Sequence, residues 1–337
     1  PAASVAGEVN AESRLAESVA TALANGPLDA KAFFALADAA YGGTRTKGTY
    51  GPSDAYDALE LGVNLYLRQH PENVGGNLMQ AVDSVERLQE LVARIPSQTN
   101  RSGEKDTLQQ FSTPPAYAFA VNWLANIKPG DVVLEPSAGT GSIAVHAVNA
   151  GAQVYANELS KRRAGLVAQV GVKQVFNEDA EQIANILPGK MPTPTVVVMN
   201  PPFSHAGLRM ADKKLIGTDL KHIDNTLQLL APGGRLVAII GAPLKGGETK
   251  TFSDWFRKTK KTHNVRTNAY VERSVYKGYG TTFPTRVLII DKTGATPETG
   301  PDIMFAGPVD LQTLLTGLEG VRNDRASTVQ SPAAGTS

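Results

Sequence analysis

Between residues 131 and 241 short β-branched runs alternate with helical stretches, and this alternation leaves the chain few folds to choose from. The runs cover residues 131–134, 153–156, 175–176, 195–199 and 235–241, with a late one at 285–291. Residues 143–149, 161–170 and 219–230 have helical spacing, and Pro232-Gly233-Gly234 ends the last of them. Repeated βα units imply a mostly parallel sheet covered on both faces. Such sheets bind ligands beyond the carboxyl ends of their strands.

The region before this pattern reads differently. Residues 29–41, 53–69 and 76–94 are rich in Ala and Leu at three- and four-residue spacing, punctuated by Gly42-Gly43 and Pro71. They hold no catalytic constellation, so residues 1–105 are expected to form a helical N-terminal subdomain. An α/β domain is expected over 106–293, then a tail over 294–337 with a helix at 309–318 and disorder from 327. With 337 residues, 42% of them hydrophobic, the chain can bury a sizeable core. Cysteine is absent, which excludes disulfides and thiolate metal sites and makes a reducing, cytoplasmic compartment the default expectation. No long apolar run predicts a membrane span or a secretory signal. Because it starts at Pro1 rather than Met, the chain reads as a processed or trimmed product, or as a piece of a longer polypeptide.

The net charge of +1 says little about partners, but the distribution says more. Residues 245–277 hold Lys245, Lys250, Arg257, Lys258, Lys260, Lys261, Arg266, Arg273 and Lys277, against Glu248, Asp254 and Glu272. Such a stretch either neutralises phosphates or is a solvated helix face.

The first strand runs into Glu135-Pro136-Ser137-Ala138-Gly139-Thr140-Gly141 and then a helix. Glycines there let backbone approach a ligand closely, and the helix start presents free amides. Gly139, Gly141 and Ala144 also satisfy the dinucleotide pattern G-x-G-x-x-A, which keeps a nicotinamide oxidoreductase open at this point; a turn with no ligand is the plain alternative. Glu158, with Leu159 beside it, ends the second strand, where a carboxylate can accept from both ribose hydroxyls. Asp179, with Ala180 beside it, follows the third strand and is placed to meet an adenine amine, or else simply caps a helix. Three acids spaced one strand apart favour an adenosyl ligand.

Asn200-Pro201-Pro202-Phe203 follows the fourth strand directly. Two consecutive prolines remove two amide donors and stiffen the loop. The Asn200 side-chain oxygen and the Pro201 carbonyl are left as acceptors, and two convergent acceptors can hold both N–H groups of an exocyclic amine. That grip draws the nitrogen toward tetrahedral geometry and frees its lone pair for an aligned electrophile. Phe203 offers a face for a target ring. A dehydrogenase has no use for such a loop. The five histidines, His70, His146, His205, His222 and His263, show no metal-ligand spacing, so no metal is expected, and the absence of a serine nucleophile elbow leaves a hydrolase unsupported.

These residues resemble the amino-methyltransferases among class I S-adenosylmethionine enzymes, specifically the adenine-N6 DNA branch. Phe111-Ser112-Thr113-Pro114-Pro115, ahead of a helix at 116–127, is similar to a motif of that branch, and residues 280–288 are similar to the Gly-Thr…Thr-x-Leu hairpin of type I restriction methylase subunits. The resemblance spans about residues 107–292 and implies a Rossmann-like, mostly parallel, seven-stranded sheet with S-adenosyl-L-methionine as cofactor. It further implies that Thr113 and its neighbours hold the methionine end, that Glu135 and Gly139 line the pocket, that Glu158 takes the ribose and Asp179 the adenine, and that Asn200 to Phe203 hold the target base. DNA is the expected partner, with further domains such as a helicase on a longer polypeptide. Lys245, Tyr276, Lys277 and Tyr279 are candidates for substrate contact, the tyrosines being otherwise loop packing. The loop alone does not choose its amine: cytosine N4 in DNA, guanine N2 in RNA and a protein glutamine remain open, as does a catalytically idle binding module.

Overall fold

The computed structural model describes residues 10–97, 112–202, 217–243, 248–276, 279, 284–300, 303 and 305–326. Four helices come first: α1 (Ala11–Asn25), α2 (Ala30–Tyr41), α3 (Pro52–Gln69) and α4 (Leu78–Ala93). Asn10, Asp29 and Asn77 cap the first, second and fourth through their side chains, each accepting from a backbone amide three residues on. Then follow α5 (Pro115–Leu124), β1 (Val132–Glu135), α6 (Ala144–Asn149), β2 (Gln153–Asn157), α7 (Lys161–Val167), β3 (Gln174–Phe176), α8 (Ile183–Ile186) and β4 (Val196–Met199). The remainder comprises α9 (Thr218–Leu229), β5 (Arg235–Gly241), α10 (Lys250–Lys260), β6 (Asn264–Val271), β7 (Thr285–Asp291) and α11 (Leu311–Asn323).

The seven strands form one sheet in the order β3-β2-β1-β4-β5-β7-β6. Every neighbouring pair from β3 to β5 is parallel, and β7 runs antiparallel to both of its neighbours. Chain direction reverses its path across the sheet between β1 and β4, which opens a crevice beyond their carboxyl ends.

Strand residues alternate between two apolar layers. Val133, Val198, Ile239 and Ile289 face a layer that also contains α1, α3, α4, α5 and α11, so the N-terminal helices are packed as one body with that face of the sheet. Leu134, Val197, Ile240 and Ile290 face the other layer, with α9 and α10. The C-terminal helix α11 extends five residues beyond the expected 309–318 and packs on α4 and α5. Residues 327–337, expected to be disordered, lie outside the described residues.

The basic stretch is a solvated helix face only over α10. It contains β6, whose residue Arg266 sits in a bulge and is buried in ion pairs with Asp291 (2.8 Å) and Asp324. Lys258, Lys260 and Lys261 end α10, where cations complement the helix dipole. They precede Asn264, which pairs with Asp291, the partner of the first residue of β5, so they lie at the end of the sheet away from the crevice. Lys250 and Arg257 pair with Asp254 on the solvated face. Lys245 and Lys277 are outside the described residues.

His146 of α6 is completely buried edge-on to Phe119, and burial lowers its imidazole pKa to about 4. An unfolded histidine titrates near 6.5, so between those values the unfolded chain binds more protons than the folded one. Stability from this group is complete above about pH 6.5 and is lost as the pH falls toward 4, by roughly 3 kcal/mol. Denaturant unfolding at pH 7.5 and pH 5 should show about 2 kcal/mol of this loss, and His146→Leu should flatten the dependence. An equally steep dependence in that variant would rule the histidine out as its source.

Candidate active site

A cavity of ≈ 430 Å³ occupies the crevice at the carboxyl ends of β1, β2, β3 and β4. Its walls come from four loops that the sheet order places side by side, together with the segment ahead of α5. The structure thereby gathers Thr113, Glu135, Pro136, Ser137, Ala138, Gly139, Glu158, Leu159, Asp179, Ala180, Asn200, Pro201 and Pro202 around one space.

The Gly-rich turn is built for close approach. Gly139 has φ +56°, a left-handed conformation that disfavours a side chain, and a Cβ placed there would meet nothing within 4 Å. Gly141 has a different task. Its φ is +94°, and a Cβ there would press on Val167 and Val170 at 3.1 Å, so this glycine packs the turn against α7 and does not line the cavity.

Glu158 is almost fully buried, and three donors orient its carboxylate: the Gly139 amide at 2.8 Å, the Ser160 amide at 2.9 Å and the Arg163 guanidinium at 3.1 Å. The acid therefore ties the turn after β1 to the loop after β2. Asn157 does the same one residue earlier. Its amide donates to the Pro136 carbonyl (3.0 Å) and the Glu178 carbonyl (2.9 Å), joining three strand ends. Asp179 accepts from the Glu181 amide at 2.9 Å in a local turn, in place of the helix cap that was its plain alternative, and lines the cavity.

Three buried atoms with no hydrogen-bond partner among the described residues belong to side chains that line the cavity, Glu135 Oε2, Asn200 Oδ1 and His222 Nδ1, and they mark it as a polar site. Glu135 is buried with Oε2 unpaired, and burial pushes its carboxyl well above the usual range; the nearby Glu158 charge pushes the same way, against the Ala144 amide. Asn200 lines the cavity at the end of β4 with Oδ1 unpaired, while its Nδ2 donates to Thr113 Oγ1 at 2.9 Å and approaches the Tyr276 hydroxyl at 3.5 Å. One end of the carboxamide is thus tethered, and its acceptor is left for an external donor. An unpaired buried acceptor is costly, and one that persists at a cavity wall is suited to a ligand that completes it.

The two tyrosines correct the sequence reading of substrate contact. Tyr276 is fully buried, edge-on to Tyr117 at 5.8 Å, and Tyr279 is 2% exposed, so neither presents a ring for stacking. Tyr276 instead brings its hydroxyl to Asn200. Phe203, His205 and residues 280–283 lie outside the described residues. The sequence reading gave no role to Thr140, Arg163 or His222, all of which line the cavity. Arg163 carried a weak signal, a cation one helical turn past the acid at the end of β2. His222 lies on α9, and its Nδ1 has no partner among the described residues. Burial lowers its pKa and favours the neutral ring. No metal-ligand cluster occurs among the described residues, and no helix there is long and apolar enough to cross a membrane.

No family model matches the chain. A tRNA (guanine(6)-N2)-methyltransferase from Thermus thermophilus is 31% identical over 138 residues, which cover 39% of this chain and 40% of that relative. The chain thus spans well under half the length of this curated relative. A structure from Listeria monocytogenes, described as a class I S-adenosylmethionine-dependent methyltransferase, superposes with a TM-score of 0.50 at 12% identity over 94% of this chain and 98% of its own. A Vibrio vulnificus structure, described as the modification subunit of a type I restriction enzyme, gives 0.47 at 16% identity over 75% and 60% of the two chains. The sheet order, the antiparallel β7 and the near-complete overlay with the Listeria protein place this chain on the class I S-adenosylmethionine-dependent methyltransferase fold, for which S-adenosylmethionine is the expected cofactor.

Proposed function

We propose that the chain transfers a methyl group from S-adenosylmethionine to an exocyclic amino nitrogen of a nucleobase. The observation that carries this reading is Asn200: a carboxamide at the end of β4, held by Thr113, with Oδ1 unpaired in the same cavity as Glu158. The cofactor, when bound, supplies a sulfonium methyl as electrophile. Glu158 and the turn around Gly139 would hold its ribose, Asp179 and Ala180 its adenine, and Thr113 its methionine end. Asn200 Oδ1 and the Pro201 carbonyl would each accept one N–H of the target amine, withdrawing the nitrogen lone pair from ring conjugation. Prolines 201 and 202 keep the acceptors from relaxing as charge develops, so alignment and preorganised dipoles supply most of the rate.

Two nucleobases fit, each on its own observation. Identity to a guanine-N2 tRNA enzyme over 138 residues favours guanine N2 in RNA. Phe111-Ser112-Thr113-Pro114-Pro115 ahead of β1, with the sequence similarity of residues 280–288 to the type I restriction methylase hairpin, favours adenine N6 in DNA, where a paired target must first be flipped at a cost of a few kcal/mol. Labelled cofactor offered in parallel to tRNA, single-stranded DNA, duplex DNA and protein, followed by digestion of the product, separates them. Label in N2-methylguanosine or N6-methyladenine decides the base. Label on carbon, oxygen or protein would overturn the reading, as would no transfer to any of the four.

A further inference from the structure

Helix α3 lies in the N-terminal region that holds no catalytic motif, yet it buries three polar side chains on one face. Asp57, Glu60 and Asn64 follow i, i+3, i+7 spacing and are 1%, 2% and 1% exposed. A helix face packed into an apolar core is expected to be apolar, because buried polar groups are costly unless each is partnered. Two of them, Glu60 and Asn64, bond residues of the cavity wall. Glu60 Oε2 accepts from Ser112 Oγ and from Thr140 Oγ1, the latter at 3.1 Å. Asn64 Nδ2 donates to the Thr140 carbonyl at 2.9 Å. Asp57 binds Arg162, next in sequence to the Arg163 that holds Glu158.

Ser112 and Thr140 line the cavity from two separate walls of chain: the segment ahead of α5 carrying Thr113, and the Gly-rich turn carrying Gly139. We infer that Glu60 is a positioning residue for the cofactor site, its single carboxylate oxygen fixing the spacing between these two walls so that the cavity is preformed for S-adenosylmethionine. This inference rests on the cofactor reading above. A preformed cavity binds more tightly because little ordering remains to be done when the ligand arrives. Without the tie, the two loops must be drawn together at the expense of ligand affinity.

The test is titration calorimetry with S-adenosylhomocysteine on the full chain. Glu60→Leu should weaken binding roughly tenfold, the effect of losing one buried, charge-assisted pair of hydrogen bonds. Glu60→Gln, which keeps an acceptor on the same stem, should recover most of that loss. Ser112→Ala should weaken binding in the native background and add almost nothing on top of Glu60→Leu, because both remove the same tie. Glu60→Leu binding within twofold of native would overturn the inference, and so would additive effects of the two substitutions. If Glu60→Leu does not fold, Ser112→Ala and Glu60→Gln alone decide: the serine variant bound as tightly as native, or the glutamine variant as weak as the serine one, overturns it. Failure of the native chain to bind S-adenosylhomocysteine would instead remove the underlying cofactor reading.

Discussion

Asn200→Ala is expected to lower the rate of methyl transfer by about 10²–10³-fold while leaving cofactor affinity within a few-fold of native. The magnitude is that of removing one preorganised acceptor or donor from a developing charge in a water-poor site. The separation of the two effects follows from the geometry. Asn200 follows β4 and is tethered through Thr113, whereas Glu158, the acid proposed to take the ribose, follows β2 and is oriented by Gly139, Ser160 and Arg163. Single-turnover transfer at saturating cofactor measures the first quantity and calorimetry the second. Turnover at the native rate would sink the acceptor role. A collapse of cofactor binding would show that the tether to Thr113 matters more than the free oxygen.

Asp291→Ala is expected to destabilise the chain by about 3–5 kcal/mol, the usual cost of leaving buried charge uncompensated. Asp291 ends β7 and is 3% exposed; it takes a two-point pair from Arg235 at 2.7 and 2.8 Å and a third bond from Arg266 at 2.8 Å. Arg235 is wholly buried and also donates to the Val321 carbonyl at 2.8 Å, so this one aspartate joins β5, β6 and the end of α11. Removing it leaves the two buried guanidiniums of Arg235 and Arg266 to share the single charge of Asp324, which reaches Arg235 Nη2 only at 3.5 Å. The paired change Arg235→Met with Asp291→Leu should cost far less, because the desolvated charges disappear together. Urea unfolding of the three proteins checks both statements, and equal losses in the single and paired variants would contradict the argument.

The cavity wall at the strand ends was largely legible in the sequence because it is local. A strand, a Gly-rich turn and a helix are contiguous, and carboxylates at strand ends declare themselves by position, so Gly139, Glu158 and Asp179 were named before any packing was known. The same locality misassigned Gly141. A glycine at a turn reads the same whether its missing Cβ makes room for a ligand or, as here, for Val167 and Val170. Strand β6 was hidden for a physical reason. The bulge at Arg266 turns Val265 toward one apolar layer and Ala269 and Val271 toward the other, which breaks the two-residue alternation that identifies a strand. Its buried arginine then looked like part of a basic surface.

The order of βα units and the residues at the carboxyl ends of β1 through β4 were set by the sequence alone, since strand period and turn chemistry act over a few neighbouring residues. Which distant groups meet was decided only by the tertiary structure. Tyr276 reaches Asn200 from 76 positions away, and Glu60 reaches Thr140 across 80. Contacts of that span depend on how helices settle on a twisted sheet, and no periodicity along the chain encodes them.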